Sequence, residues 1–153
     1  MFLVGHAAVG VAAVTALGIT NPVAAFGVGW LSHYLADFLP HGDEPVGEWA
    51  KRGNEILRFV GILAVDGSLF LAVFGYYSWT HGISIPLVAA AAGSFVPDVM
   101  WGLEMVAKRK LWGFMTDFHG RNHNFFHPHF PAWVGLAWQS TATILLWTWM
   151  MVH

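Results

Sequence analysis

The chain has 153 residues, a formal net charge of −2, a hydrophobic share of 56% and a charged share of only 10%, against roughly 25% charged in an average soluble domain. That length bounds it to one domain, and the mean hydropathy of +0.54 is too high for a small soluble protein and fits an integral membrane protein. The near-neutral balance gives no basis for nucleic-acid binding, and the absence of cysteine excludes disulfides, thiolate metal sites and a cysteine nucleophile.

Five apolar segments follow in order. The first, about residues 2–19, ends at Thr20-Asn21-Pro22. Residues 1–36 hold no Lys, Arg, Asp or Glu, so the basic region of a signal peptide is missing and the segment reads as a retained helix. The second, about residues 22–39, has Pro22 placed for a helix start and Pro40 after its end. Both have about 18 residues, near the lower limit for spanning a bilayer, and could instead form a partly buried hairpin. Within the second, His33, Asp37 and His41 recur every fourth residue. On a helix that spacing stacks an imidazole and a carboxylate on one face, and both are costly to leave unpartnered away from water.

A polar connection, residues 41–55, carries four of the nine acidic residues with Lys51 and Arg52. The third segment, about residues 56–79, is long enough to span and holds one internal charge, Asp66. After a short turn the fourth, about residues 85–107, opens with a small-residue run at 89–94 that lets helix backbones approach closely. Pro97 should kink it just before Asp98. Basic residues Lys108, Arg109 and Lys110 then precede Leu111, Phe114, Met115 and Phe118, an i, i+3, i+4, i+7 stripe that predicts a short helix on the membrane surface. A histidine-rich loop with His119, His123 and His127 comes next. The fifth span, about residues 131–152, has no formal charge and carries Trp133 near one end, Trp147 and Trp149 near the other. The fold expected is therefore an all-α, polytopic membrane bundle of about five transmembrane helices plus a short interfacial one.

If all five segments span, every Lys and Arg falls at one face, which predicts a cytoplasmic N-terminus and an outside C-terminus. The same frame brings His6, the His33/Asp37/His41 set and the His119/His123 pair to that face, with Asp66 and Asp98 roughly 13–15 Å beneath it. Each residue has a plainer reading. His6 could be an interfacial histidine, His41 and His127 solvated loop residues, Asp66 an interhelical anchor, and Asp98 a cap on a broken helix. Together, however, intramembrane carboxylates and paired imidazoles point to a metal site. His33, Asp37, His119 and His123 lead the candidate ligands, with Asp98 and His6 next. Asp66 and Asp98 are the candidate bases. Imidazole and carboxylate without sulfur suit Zn first, then Mn or Fe, as one or two ions. Arg121 and Arg52, with the Lys108–Lys110 run, offer cations to a phosphate or lipid headgroup.

The segment SHYLADFLPH, with Gly5-His6, Val96-Pro97-Asp98 and His119-Gly120-Arg121-Asn122-His123, resembles the predicted membrane-bound metal-dependent hydrolases, with their His-x-x-x-Asp, Pro-Asp and histidine-rich elements. In this chain His-x-x-x-Asp comes before the other two elements, and position 100, where that pattern has a second carboxylate, is Met. The resemblance implies a small inner-membrane protein with a hydrolytic metal centre, acting on an ester or phosphoester at the cytoplasmic face, with membrane lipids as surroundings or substrate. The competing expectation is a non-enzymatic membrane carrier of metal or protons that uses the same residues. A bis-histidine haem site is a third, weakened by the neighbouring carboxylates.

Overall fold

In the computed structural model the described residues are 1–39, 41–43, 45–46, 49, 54–123, 125 and 131–153. They form six helices and no strand: α1 Leu3–Ala16, α2 Pro22–Phe38, α3 Glu55–His81, α4 Ile85–Ala107, α5 Phe114–His123 and α6 Ala132–Val152. Their starts have local causes. The Asn21 side chain accepts from the N–H groups of Val23 and Ala24, with Pro22 in the first helical position. Asn54 and Ser84 cap α3 and α4 in the same way. Two of the stops use left-handed or glycine geometry, Gly82 after α3 and Lys108 (φ 51°) after α4.

α1 is the shaft of the bundle. Ala7, Ala8, Val11 and Val14 are buried, as expected of a helix that is apolar all round. It packs on α2, α4 and α6, while α2 and α4 share the most extensive interface. There the small residues foreseen in the fourth segment are decisive. A Cβ on Gly29 would meet the Ala90 carbonyl, and one on Gly93 would meet the Phe26 carbonyl. Backbone therefore rests on backbone, and no larger residue fits.

α3 and α4 are long and apolar enough to cross a membrane. Leu57, Val60, Leu63, Val65, Leu69 and Leu71 on α3 face outward. α1, at 14 residues, is much shorter than α3 at 27. Its start is held by Asp66, whose carboxylate accepts from the Leu3 and Val4 N–H groups at 2.5 and 3.2 Å. That anchor lies about eleven residues into α3, roughly 16 Å along the axis from Glu55. α1 thus begins partway along α3, with Met1 buried against Asp37 and Asp43. At the far end His81 Nε2 donates to the Met151 carbonyl at 3.1 Å, tying α3 to α6.

Two expectations are corrected. The surface helix was expected ahead of the histidines, but α5 begins at Phe114 and includes His119 and His123. Lys108 and Gly113 both take positive φ, which turns the chain twice and starts the helix late. Thr116 and His119 turn inward and are buried, while Phe114 and Phe118 of the apolar stripe are exposed. Secondly, α4 runs on through Pro97 as one helix, which leaves no broken end for Asp98 to cap.

Candidate metal centre

The centre lies where the last turn of α2, the middle of α4, the start of α1 and α5 meet. His33 and Asp37, one turn apart on α2, are both essentially inaccessible to solvent. His33 Nδ1 donates to the Ser94 carbonyl of α4 at 2.7 Å. Since a carbonyl can only accept, the neutral His33 ring must carry its proton on Nδ1 and present the Nε2 lone pair to the interior. Nε2 stands 2.9 Å from Asp37 Oδ2 and 3.3 Å from His119 Nε2. His119 Nε2 is in turn 3.1 Å from Asp37 Oδ2. Donors about 2.1 Å from a tetrahedral zinc lie about 3.4 Å apart, so the three atoms are spaced as one coordination sphere requires.

Asp98 and His6 extend the group. Asp98 Oδ1 lies 3.6 Å from His119 Nε2 and 3.8 Å from His33 Nε2, and its side chain, at 30% exposure, is the most open of the set. His6 stacks on His33 with ring centroids 3.8 Å apart. Its Nε2 lies 3.2 Å from Asp37 Oδ1 and 3.8 Å from Asp98 Oδ2, and neither ring nitrogen makes a hydrogen bond among the described residues. A buried, unpartnered imidazole is costly, and a cation would satisfy it.

Beside this triad stands a second one. His41 Nδ1 donates to the Leu39 carbonyl at 2.7 Å, so its Nε2 also faces inward, 3.0 Å from His123 Nε2 and 3.1 Å from Asp43 Oδ1. Asp43 Oδ1 is 3.8 Å from His123 Nε2, and Asp37 Oδ1 is 3.9 Å from His41 Nε2. The turn carrying His41 and Asp43 is fixed by Gly42, at φ 70°, where a Cβ would overlap the Ala132 carbonyl of α6. Gly135 is equally confined by the Gly42 backbone, and Gln139 Nε2 donates to the His41 carbonyl at 2.6 Å. The Met1 ammonium reaches both carboxylates, at 2.9 Å from Asp37 Oδ1 and 3.3 Å from Asp43 Oδ2.

Electrostatics outside the long helices follow from these contacts. Burial alone would raise the Asp43 carboxyl, but the Met1 ammonium and the His41 hydrogen bond hold it well below the usual carboxylate range. Burial and the nearby ammonium push His123 down to about 4, so its ring is neutral at pH 7 and able to act as a ligand. Burial works against the Met1 ammonium too, yet Asp37 and Asp43 keep its pKa raised.

Three groups of donors that could hold a metal ion therefore form one chain: His6, His33 and Asp98; His33, Asp37 and His119; Asp37, His41 and His123. The six expected ligands all fall within it. Asp66 stands outside these groups, capping α1. Arg121 is exposed on α5. Arg52 and His127 lie outside the described residues. Asp43 carried no sequence signal beyond its place two residues after His41, and His41 belonged to the four-residue repeat without being among the lead ligands. All the donors are nitrogen or oxygen, a set that fits a borderline or hard divalent ion. No protein-family model matches the chain, and neither a curated protein nor a solved structure does.

Proposed function

We propose that the protein is a membrane-embedded, metal-dependent hydrolase of an ester or phosphoester, and that its ion, zinc in the first instance with Mn or Fe as alternatives, is held by His33, Asp37 and His119. One observation carries this reading: three buried donor atoms on two helices lie 2.9 to 3.3 Å apart, with the tautomer of His33 fixed by a backbone carbonyl. Three protein ligands with one side left open is the arrangement of catalytic rather than structural zinc. The ion supplies a Lewis acid that lowers the pKa of water and polarises the substrate oxygen. Asp98, the most open carboxylate of the group, takes the proton from the attacking water. His6, packed on His33 with Nε2 3.2 Å from Asp37 Oδ1 and 3.8 Å from Asp98 Oδ2, stands as a further nitrogen donor beside the ion.

The membrane setting completes the reading. Five helices, α1 to α4 and α6, alternate in direction through the bilayer, with α5 at the cytoplasmic face. Arg58, Lys108, Arg109, Lys110 and Arg121 mark that face, in keeping with the excess of basic residues on cytoplasmic loops. The same cations attract phosphate or lipid headgroups towards the cytoplasmic end of the bundle. Membership of the predicted membrane-bound metal-dependent hydrolases is part of the proposal, on the four sequence elements given above.

The test is metal analysis of the purified protein beside the double variant His33→Ala/Asp37→Ala, with hydrolysis of carboxyl and phosphate esters measured in mixed micelles. Bound zinc that the variant lacks, together with turnover that follows the zinc, is the expected result. Zinc bound without any turnover would instead support a metal carrier, and equal metal content in both proteins would remove the site.

A further inference from the structure

We propose that the His41–Asp43 turn and His123 form a second ion position, that Asp37 bridges it to the first, and that the paired ions select a phosphoester over a carboxyl ester. This rests on the hydrolase reading and narrows it to one substrate class. The spacing of the second triad, 3.0, 3.1 and 3.8 Å between His41 Nε2, His123 Nε2 and Asp43 Oδ1, is close to that of the first. Its orientation is fixed in the same manner, since the Leu39 carbonyl takes the His41 Nδ1 proton and leaves Nε2 as the donor atom.

The division of labour within Asp37 is the reason to join the two. Its Oδ2 faces His33 and His119, whereas its Oδ1 meets the Met1 ammonium at 2.9 Å, His6 at 3.2 Å and His41 at 3.9 Å. A carboxylate with one oxygen on the His33/His119 pair and the other 3.9 Å from His41 is placed to bridge two cations. The position also demonstrably draws positive charge, because the Met1 ammonium contacts both Asp37 and Asp43 there. That ammonium competes with an incoming ion for the same two carboxylates.

The site is built rather than incidental. His41 is fully buried, and its turn is wedged against α6 by the backbone contacts of Gly42 and Gly135. Such rigidity matters, since metal ligands are effective only when their own positions are fixed. Two ions side by side stabilise both the entering and the leaving oxygen of an in-line displacement at phosphorus. In that reaction the water oxygen forms the new bond to phosphorus and the ester P–O bond breaks. The proton of the water goes to Asp98, and the leaving alkoxide takes a proton from solvent.

The experiment loads the full-length protein with Mn(II) and counts ions per chain, recording the electron paramagnetic resonance spectrum of each sample. Wild type should hold two ions with an exchange-coupled multiline spectrum. Asp43→Asn, nearly isosteric, and His41→Gln should each hold one, with the simple six-line spectrum of an isolated ion. Retention of that one ion shows that the variants are folded. Hydrolysis of bis(p-nitrophenyl) phosphate should fall at least about tenfold in both variants, while that of p-nitrophenyl acetate changes far less. A wild type that binds a single ion, unaffected by Asp43→Asn but lost in His33→Ala, would overturn the second position and leave the hydrolase reading standing. A wild type that binds none would remove both. Two ions with an equal loss of both esterase activities would overturn the choice of phosphoester.

Discussion

Asp66 and Asp98 are both carboxylates within the bundle, yet their surroundings assign them different work. Asp66 accepts two backbone N–H groups at the start of α1, which satisfies helix-end donors that have no partner inside the helix. Asp66→Ala should cost about 1–2 kcal/mol of stability, seen as a lower Tm in detergent, with metal content unchanged. Asp98→Asn should do the converse, lowering kcat by roughly 10²–10⁴-fold while zinc and Tm stay close to wild type. If Asp66→Asn rather than Asp98→Asn removes turnover with zinc retained, the base has been misassigned. His123 gives a pH signature. Its pKa in the folded chain is depressed from 6.5 to about 4, so on acidification the unfolded chain binds the proton first. Its share of stability is therefore complete above pH 6.5 and lost progressively between those two values. Metal-free protein should show Tm falling from pH 7 to pH 4.5, and His123→Gln should flatten part of that slope.

At the scale of elements, glycine contacts set how closely the ligand-bearing pieces approach. A Cβ on Gly42 would both overlap the Ala132 carbonyl and oppose a φ of 70°. Gly42→Ala should then displace His41 and Asp43 together and reduce metal stoichiometry without disturbing His33 and His119. Metal counting on that variant, with Gly61→Ala on the open face of α3 as a control, checks this. Much of the element order was legible in the sequence. Pro22 and Asn21 announced α2, and the fourth segment ended where α4 ends because Ile85–Ala107 is bounded by turn residues on both sides. α5 was not legible in its bounds. The histidines read as a loop after the stripe, but His33 and Asp37 give His119 partners inside the bundle, so the helix runs on through His123 with Phe114 turned out. The His33/Asp37 face could be read because helical spacing is a local property. Asp43 could not, because its role depends on a turn docked against α6, about ninety residues further along the chain.

For the molecule as a whole, the short first helix is what makes room for chemistry. Because α1 starts at the level of Asp66, its N-terminal end, the last turn of α2 and α5 enclose polar groups partway down a bundle whose outer face on α3 is apolar. If the bundle spans as proposed, Asp66 lies roughly 16 Å along α3 from Glu55, while α5 brings His119 and His123 to the centre from the cytoplasmic face. Ionisable groups at such a depth are tolerated only when paired or facing a water-filled cavity, and here pairing is extensive. Orientation can be tested directly, since the chain contains no cysteine and any introduced thiol is unique. Thr20→Cys, in the turn between α1 and α2, should react with a membrane-impermeant maleimide on intact cells. Arg109→Cys, beyond α4, should react only after the membrane is opened. The reverse pattern would invert the topology and place the basic residues outside, while labelling of both on intact cells would show that α3 and α4 do not enclose the centre as a spanning bundle. Only the first pattern lets a substrate headgroup held by Lys108, Arg109 and Arg121 reach the donors from the cytoplasmic leaflet.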